Sequence, residues 1–433
     1  MKRSHQTKNG SCEIDLWMTL AATVIATFLI VAATPAHAQT FQVLHSFAGG
    51  DDGAIPMAGL IIDAAGNLYG TASDGGKNMD GCETIGCGVA FRLVPSGTGW
   101  ILRTLYVFQG GQESGDDGAN PEARMVFAAD GTLYGTTYDG GGHQCNDISC
   151  GTVFKLSPPA TACKSALCPW DETVVYRFLG NPQAGNPNGG PLVFDQQGNL
   201  YGAANWGPTG YGTVYELSDN GGTWSETDIF SPDYSSSGLV ADNAGNLYGT
   251  NGEQFDGGGG VYQLVHSGSG WHVNQLFGIT DYLTQGADMY GGVILDRAGN
   301  IYASTAADGP NGGGTVFELS AGTWNFNLLY GFSGGGGPEE SLSMDSAGNL
   351  YGTTYTEGAF GYGSVFELTP SANGWIYTDL YDFTGGNDGR NPISNVVIDA
   401  HGNLYGTATR GGSGPCTNMY YGNGCGVVWE ITP

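Results

Sequence analysis

The most regular feature of the chain is a short apolar run that returns seven times with the same polar punctuation. The run closes on Asp, as in Gly59-Leu60-Ile61-Ile62-Asp63 or Gly238-Leu239-Val240-Ala241-Asp242, and leads through D-x-x-G-N into Leu-Tyr-Gly or a close variant. The recurring tyrosines are Tyr69, Tyr134, Tyr201, Tyr248, Tyr302, Tyr351 and Tyr405. Asp at the start of the turn and Gly at its fourth place predict a type I turn followed by a left-handed residue, a tight hairpin. The second repeat departs, with Ala128 in the Asp place and Thr132 in the Asn place. A third segment follows, G-T-V-F-E-L in Gly314 to Leu319, and then a fourth that runs from Trp to Phe, as in Trp375 to Phe383. All four are rich in β-branched and aromatic residues and bounded by Gly, Asn, Asp and Ser, which predicts strands. After the first 38 residues no segment has convincing helical periodicity.

Four antiparallel strands repeated seven times predict an all-β, seven-bladed β-propeller of four-stranded blades. The ends support this count. The last repeat stops after its third strand, Gly426 to Ile431, while Phe41 to Phe47 reads as a fourth strand with no repeat before it. Pairing the two completes blade seven and closes the ring, so that no open end is left. An open solenoid has no reason to split one repeat in this way; six or eight blades are the alternative counts.

Composition narrows the class. The chain has 433 residues with 77 glycines in no collagen-like period, and 40% apolar with 12% aromatic residues, enough for a buried core. Thirteen basic against 41 acidic residues give a net charge of −28, which argues against nucleic acid or anionic lipid as partner. Residues 1–38 read as a signal peptide: Lys2, Arg3 and Lys8, an apolar run from Leu16 to Ala33, and Pro35-Ala36-His37-Ala38 before a cut ahead of Gln39. An uncleaved membrane anchor is the alternative. Residues 39–433 are then the propeller, with no membrane contact after cleavage, expected as a monomer in a secreted, extracellular or periplasmic bacterial setting. Past Cys12, the cysteines fall in near pairs, Cys82/Cys87, Cys145/Cys150, Cys163/Cys168 and Cys416/Cys425. Local disulfides suit an oxidising compartment; zinc held by Cys82, Cys87, Cys145 and Cys150 is the rival reading.

The pattern D-x-x-G-N-L-Y-G-T-T, G-T-V-F-E-L, L-Y-x-F, G-G-x-D-G-x-x-P resembles the GloVer tandem repeat, named for Gloeobacter and Verrucomicrobia and found in bacterial "choice-of-anchor" proteins. The resemblance covers residues 41–433 and implies a surface or secreted bacterial protein. Many members of that family carry a C-terminal sorting anchor; Thr432-Pro433 follow the last repeat here, so a soluble secreted form is expected. The hairpin is also similar to that of lactonase-like and lyase-like propellers, a likeness of turns and not of catalytic residues.

With strands named A to D in each repeat, the A–B and C–D turns share one face and the B–C loops and D–A crossings the other. The long segments fall mainly on the second face, where function is expected. Cysteine pairs in the B–C loops of blades one, two and seven, and Asp-Gly crossings at Asp51-Asp52-Gly53, Asp116-Asp117-Gly118 and Asn387-Asp388-Gly389, mark one contiguous sector as the candidate ligand site. Its carboxylates could hold calcium at Asp51, Asp52, Asp116 and Asp117, or be ordinary turn chemistry. The first position of strand A is Gly59, Arg124, Pro191, Gly238, Gly292, Ser341 and Asn395. Arg124 and Asn395 are the large polar exceptions and join Asp388 as ligand candidates. Arg124 could meet an acidic ligand group or neutralise Asp116 or Asp117.

Catalytic constellations are thin. His45 and His272 fall on outer strands and His266 and His401 in turns of the plainer face, so His143, with Asp139 or Asp147, is the one candidate base, and a solvated loop histidine is its plain alternative. The repeated aromatics read as packing between blades. The expectation is a non-enzymatic binding or interaction propeller for glycan or a cell-surface protein. The alternatives are an extracellular polysaccharide lyase or hydrolase, and a structural surface or matrix component.

Overall fold

The computed structural model describes residues 39–76, 82, 86–110, 117–142, 150–159, 169–180, 183–187, 190–231, 237–252, 259–268, 270–418 and 422–433; the expected signal peptide lies outside them. Phe41–Thr432 form one unit, a ring of seven four-stranded antiparallel sheets. In blade one, strands A to D are Ile61–Ile62, Leu68–Ala72, Val89–Ser96 and Gly99–Val107. In blade seven, A to C are Val397–Ile398, Leu404–Ala408 and Val427–Thr432, and the fourth strand is Thr40–Ser46, paired beside Val427–Thr432. The ring closes across the expected seam. Among the described residues a short helical turn, Tyr282–Gln285, was not foreseen; Asp281 caps it by accepting from the Leu283 N–H, and one turn is too short to leave a periodicity.

The A–B hairpin is built on one carboxylate. Asp63 Oδ1 accepts from the N–H groups of Ala65 and Asn67, both at 2.9 Å, and Oδ2 accepts from Asn67 Nδ2 at 2.7 Å and from the Tyr69 hydroxyl at 3.0 Å. The same set recurs at Asp242, Asp345 and Asp399. This explains why Asp, Asn and Tyr recur together. In blade two, which lacks the Asp, Asp130 takes over in part, accepting from the Thr132 N–H at 3.0 Å.

Adjacent blades meet through rings. An aromatic at or just after the end of strand D packs on the strand C aromatic of the next blade: Phe47 on Phe91, Phe108 on Phe154, Phe178 on Tyr215, Phe230 on Tyr262, Phe277 on Phe317, Phe332 on Phe366 and Phe383 on Trp429. Six of these contacts are edge-to-face; Phe277–Phe317 is tilted, at 45°. The Gly of Leu-Tyr-Gly makes room for the strand C ring. A methyl at Gly70 would stand 2.7 Å from Phe91, at Gly135 2.5 Å from Phe154 and at Gly352 2.6 Å from Phe366. Blade five has Ala303 in this place; its ring pair, the one that departs from edge-to-face, also takes Phe277 from the register place that Tyr106 and Tyr381 hold in blades one and six, while Ile279 stands where Phe108 and Phe383 do.

Strand A is shorter than its apolar run, with only Ile61 and Ile62 pairing to strand B in blade one. The rest of the inner run is held by the preceding blade. In four blades the buried threonine of Leu-Tyr-Gly-Thr donates to an inner carbonyl of the next blade: Thr71 to Pro121, Thr250 to Gly291, Thr353 to Ser394 and, across the seam, Thr407 to Ala58; Thr136 of blade two has no such partner. A second fastening lies just upstream. Asn120, Asn186 and Asn391 have φ of 54°, 52° and 53°, a left-handed conformation that Asn tolerates. Their side-chain amides donate to Ser73, Tyr138 and Tyr355 carbonyls of the preceding blade at 3.0, 2.8 and 3.1 Å.

Gly352→Ala is expected to cost about 1–3 kcal/mol by overpacking, whereas Ala303→Gly changes stability by about 1 kcal/mol or less. Denaturant midpoints of the two variants check this; equal losses would mean that the glycine does not serve the ring.

Candidate functional site

The B–C loops and D–A crossings share one face, and the sequence-predicted residues divide there into two groups. The aspartates of the crossings fold the chain. Asp117 Oδ2 accepts from the Tyr106 hydroxyl at 2.9 Å and the Gln109 N–H at 2.8 Å, and Oδ1 from the Gly118 N–H at 2.7 Å. Asp388 accepts from the Tyr381 hydroxyl at 3.0 Å and from the Thr384 N–H and hydroxyl at 2.7 and 2.6 Å. Asp52 Oδ2 lies 3.1 Å from His45 Nε2 and accepts from the Ala48 N–H at 2.9 Å. In each case a polar ring near the end of strand D and the turn backbone share the carboxylate. Where blade two passes to blade three, Glu226 of blade three does this work, accepting from the Tyr176 hydroxyl and the Ala184 N–H. Asp51 is exposed and offers its carbonyl to the Thr104 hydroxyl. Asp116, His143 and Asp147 lie outside the described residues. Among the described residues no three His, Cys, Asp or Glu side chains gather as a metal site.

Two disulfides, Cys82–Cys87 and Cys416–Cys425, are formed. Cys150 is also disulfide-bonded; Cys145, Cys163 and Cys168 lie outside the described residues. A methyl at Gly110 would stand 2.6 Å from Cys82 Sγ, and one at Gly49 2.8 Å from Cys416 Sγ. The two bridges thus press directly on the crossings that leave strand D.

Arg124 and Asn395 form the second group, and the structure brings them together. They come from blades two and seven and flank Gly59 of blade one at the tunnel mouth. A methyl placed on Gly59 would run into the Asn395 amide and stand 3.4 Å from Arg124 Cδ. Both line a cavity of about 550 Å³ bounded by the A strands of all seven blades, with Leu60, Val240, Ile294 and Val397 among its apolar walls. Arg124 is not paired with Asp117, whose oxygens are already engaged by the crossing; the cation near Asp117 is Arg177. The carboxylate whose field Arg124 feels is Glu340, in the crossing to blade six.

Glu340 carried no sequence signal. Burial pushes its carboxyl up to about 7, against the pull of the Ser341 N–H and of Arg124. Glu339 beside it is raised to about 7 by burial and by Glu340 and Asp288, and Glu122 to about 7 by burial and by Asp139 and Asp74. The departures of Glu122, Glu339 and Glu340 from the small or apolar residues Met57, Ala58, Ala123 and Gly291 at matching places in other repeats are the signal that could have found them. Farther out, Trp206, Tyr211, Tyr282, Tyr290, Phe360 and Tyr362 are exposed. All six lie in B–C loops or crossings of blades three, five and six, away from the sector that the sequence singled out.

These acids set a pH dependence. Glu122, Glu339 and Glu340 have folded values above the ordinary one of about 4.5, so between about pH 4.5 and 7 the folded chain holds protons that the unfolded chain has released, and stability falls as pH rises. Asp63, Asp242 and Asp399 behave oppositely: burial alone would raise them, but the Asn, Tyr and backbone donors outweigh it and hold them low. Their contribution is present above the unfolded value of about 3.9 and is lost as pH falls through the folded one. Thermal unfolding should therefore show greatest stability near about pH 4–5, with the fall toward pH 7 reduced in Glu340→Gln; a maximum at neutral pH would contradict the burial of these acids.

The chain is similar in fold to several solved structures. One is a candidate 6-phosphogluconolactonase from Bacteroides fragilis (12% identity, 80% of this chain and 95% of that one, TM-score 0.48). Others are a protein of unknown function from Dyadobacter fermentans (14%, 75% and 96%, 0.45) and a protein from Lactobacillus plantarum (13%, 79% and 95%, 0.46). Likeness at this level says nothing of activity. No curated protein matches the chain. The profile of the Gloeobacter/Verrucomicrobia repeat matches residues 29–231, 150–345 and 234–433, every blade of the ring included, and the chain belongs to that repeat family.

Proposed function

We propose that the chain is a secreted glycan-binding propeller that takes its ligand on the face of the B–C loops and crossings. The observation that carries this reading is the placement of the exposed aromatics. Among the described residues all six lie on this face, with Trp206 48%, Tyr290 57% and Phe360 58% exposed. Flat rings, all but Phe360 with a polar tip, suit the C–H faces and hydroxyls of pyranose units. They also stand on fixed backbone. Trp206 pairs with Gly185 in a β-bridge, and the Tyr282 carbonyl accepts from the Gly309 N–H. The Tyr362 carbonyl accepts from the Asn391 N–H, and its ring lies under the Arg390 guanidinium at 5.9 Å. Backbone held in place before the ligand arrives adds no ordering cost on binding. The chain's net charge of −28 disfavours nucleic acid or an anionic lipid surface as the general partner.

An extracellular polysaccharide lyase or hydrolase is the second reading. It is favoured by the carboxyl of Glu340, which burial raises toward neutral pH next to Ser341 of the cavity wall and within the field of Arg124. Product release from a polysaccharide panel, lost in Glu340→Gln, would support it.

On a glycan array the wild-type chain should bind at least one neutral or acidic polysaccharide. The double variant Trp206→Ala, Phe360→Ala should weaken that binding by at least about tenfold, the loss of about 1.4 kcal/mol, with the melting temperature unchanged. Wild-type protein that binds no glycan, or a double variant that binds as well, would count against the proposal.

A further inference from the structure

We infer that the tunnel mouth is a carboxylate pocket, in which Arg124 and Asn395 hold the acid group of a uronic-acid-type sugar. The sugar as carrier rests on the glycan reading above; the carboxylate rests on separate observations.

The first is that two polar side chains at one spot are unspent. Asn395 is 94% buried by its 6% exposure, and its amide makes no hydrogen bond among the described residues. Arg124 is enclosed by the tunnel wall, with no hydrogen bond and no ion pair among the described residues. Burial lowers its affinity for a proton and Glu340 opposes that loss, but no carboxylate oxygen comes within ion-pair distance. Neither has a polar atom sealed away from solvent; both open on the cavity, where a ligand group can meet a guanidinium and an amide that no protein group among the described residues engages. The polar groups of the crossings behave differently, since Asp52, Asp117 and Asp388 have their oxygens engaged.

The second observation is that Gly59 makes room for the Asn395 amide beside Arg124. A methyl on Gly59 would collide with that amide and stand 3.4 Å from Arg124 Cδ, so the glycine lets the two side chains lie side by side at the mouth. Pro191, Gly238 and Gly292 are compact at the matching positions of blades three, four and five. The cavity of about 550 Å³ beyond them is within the size of small-ligand sites, about 300–1,000 Å³.

The donor set selects the anion. A guanidinium presents two parallel N–H groups to a planar carboxylate, and the Asn395 amide can add a third donor. One cation balances one negative charge. A phosphate dianion would bring a second charge into a mouth that already holds Glu122, Glu339 and Glu340, so a monoanion is favoured. Tyr290 links this pocket to the exposed rings. It lies two residues before Gly292 and within the electrostatic reach of Glu339, so a glycan lying on the aromatics can turn its acid-bearing unit into the mouth.

The test is calorimetry on the full mature chain with a uronic acid oligosaccharide and its carboxyl-reduced counterpart, on wild type, Arg124→Gln and Gly59→Ser. Wild type should prefer the acidic form by at least about tenfold, and both variants should abolish the preference while binding the reduced form as wild type does. Gly59→Ser keeps the charge and displaces the Asn395 amide from beside Arg124, so it separates a built pocket from a general charge effect. Equal binding of the two oligosaccharides by wild type, or a preference that survives Arg124→Gln, overturns the pocket and leaves the aromatic surface standing as a neutral-glycan site. No binding of either form, together with binding of a peptide with a free C-terminal carboxylate that is lost on amidation and in Arg124→Gln, overturns the sugar as carrier. No binding of any probe overturns the inference outright.

Discussion

The contact on which the rest depends is the ring-on-ring seam between blades. Each strand C aromatic must receive a ring from the strand D end of the preceding blade, and seven such contacts must close without a gap. Each edge-to-face pair is worth about 0.5–1.5 kcal/mol beyond the area it buries, so the set is comparable in size with the net stability of a folded domain. It also accounts for residues that look unrelated in sequence. The glycine after Tyr clears space for the ring, the Tyr hydroxyl is turned to the hairpin Asp, and Asn completes that carboxylate. The repeat is conserved within this chain because each member answers a neighbour that the ring has already placed. Blade five shows the tolerance: with Ala303 for glycine, the contact survives in a tilted form.

Most of the fold was legible because a propeller blade is written locally. The Asp-to-Tyr hairpin spans a few residues, and the seam could be read from Phe41–Phe47 and Gly426–Ile431 because a missing strand at one end matched a spare strand at the other. Strand A was read too long, since the apolar run of Leu60 and its equivalents is buried by the adjacent blade and not by its own ladder. Blade-to-blade threonine bonds such as Thr407 to Ala58 are between residues far apart in sequence and leave no periodic trace.

The candidate site was legible in part. Arg124 and Asn395 were found because they break a column of small residues, and that column lines the tunnel. The Asp-Gly aspartates were conspicuous for the opposite reason, as recurring turn residues, and three of them have their oxygens committed to Tyr106, Tyr381, His45 and nearby N–H groups. A polar ring seven to eleven residues before such an Asp is the clue that was available. Glu340 and the exposed aromatics could not be placed from sequence, because an acid becomes unusual only when burial surrounds it, and a ring in a loop becomes a surface only when the other loops of that face are known.

The threonine pins have a consequence for how the wheel can be assembled or altered. At the four joins that carry a threonine pin, the inner edge of one blade belongs mechanically to the sheet beside it, so there a blade is not a module that can be lifted out whole. Excising one would strip the next of its inner anchor, and duplicating one would have to supply a matching anchor in the same event. The natural unit of exchange is therefore offset from the sheet, beginning inside one blade and ending inside the next, in the same phase as the split at the seam.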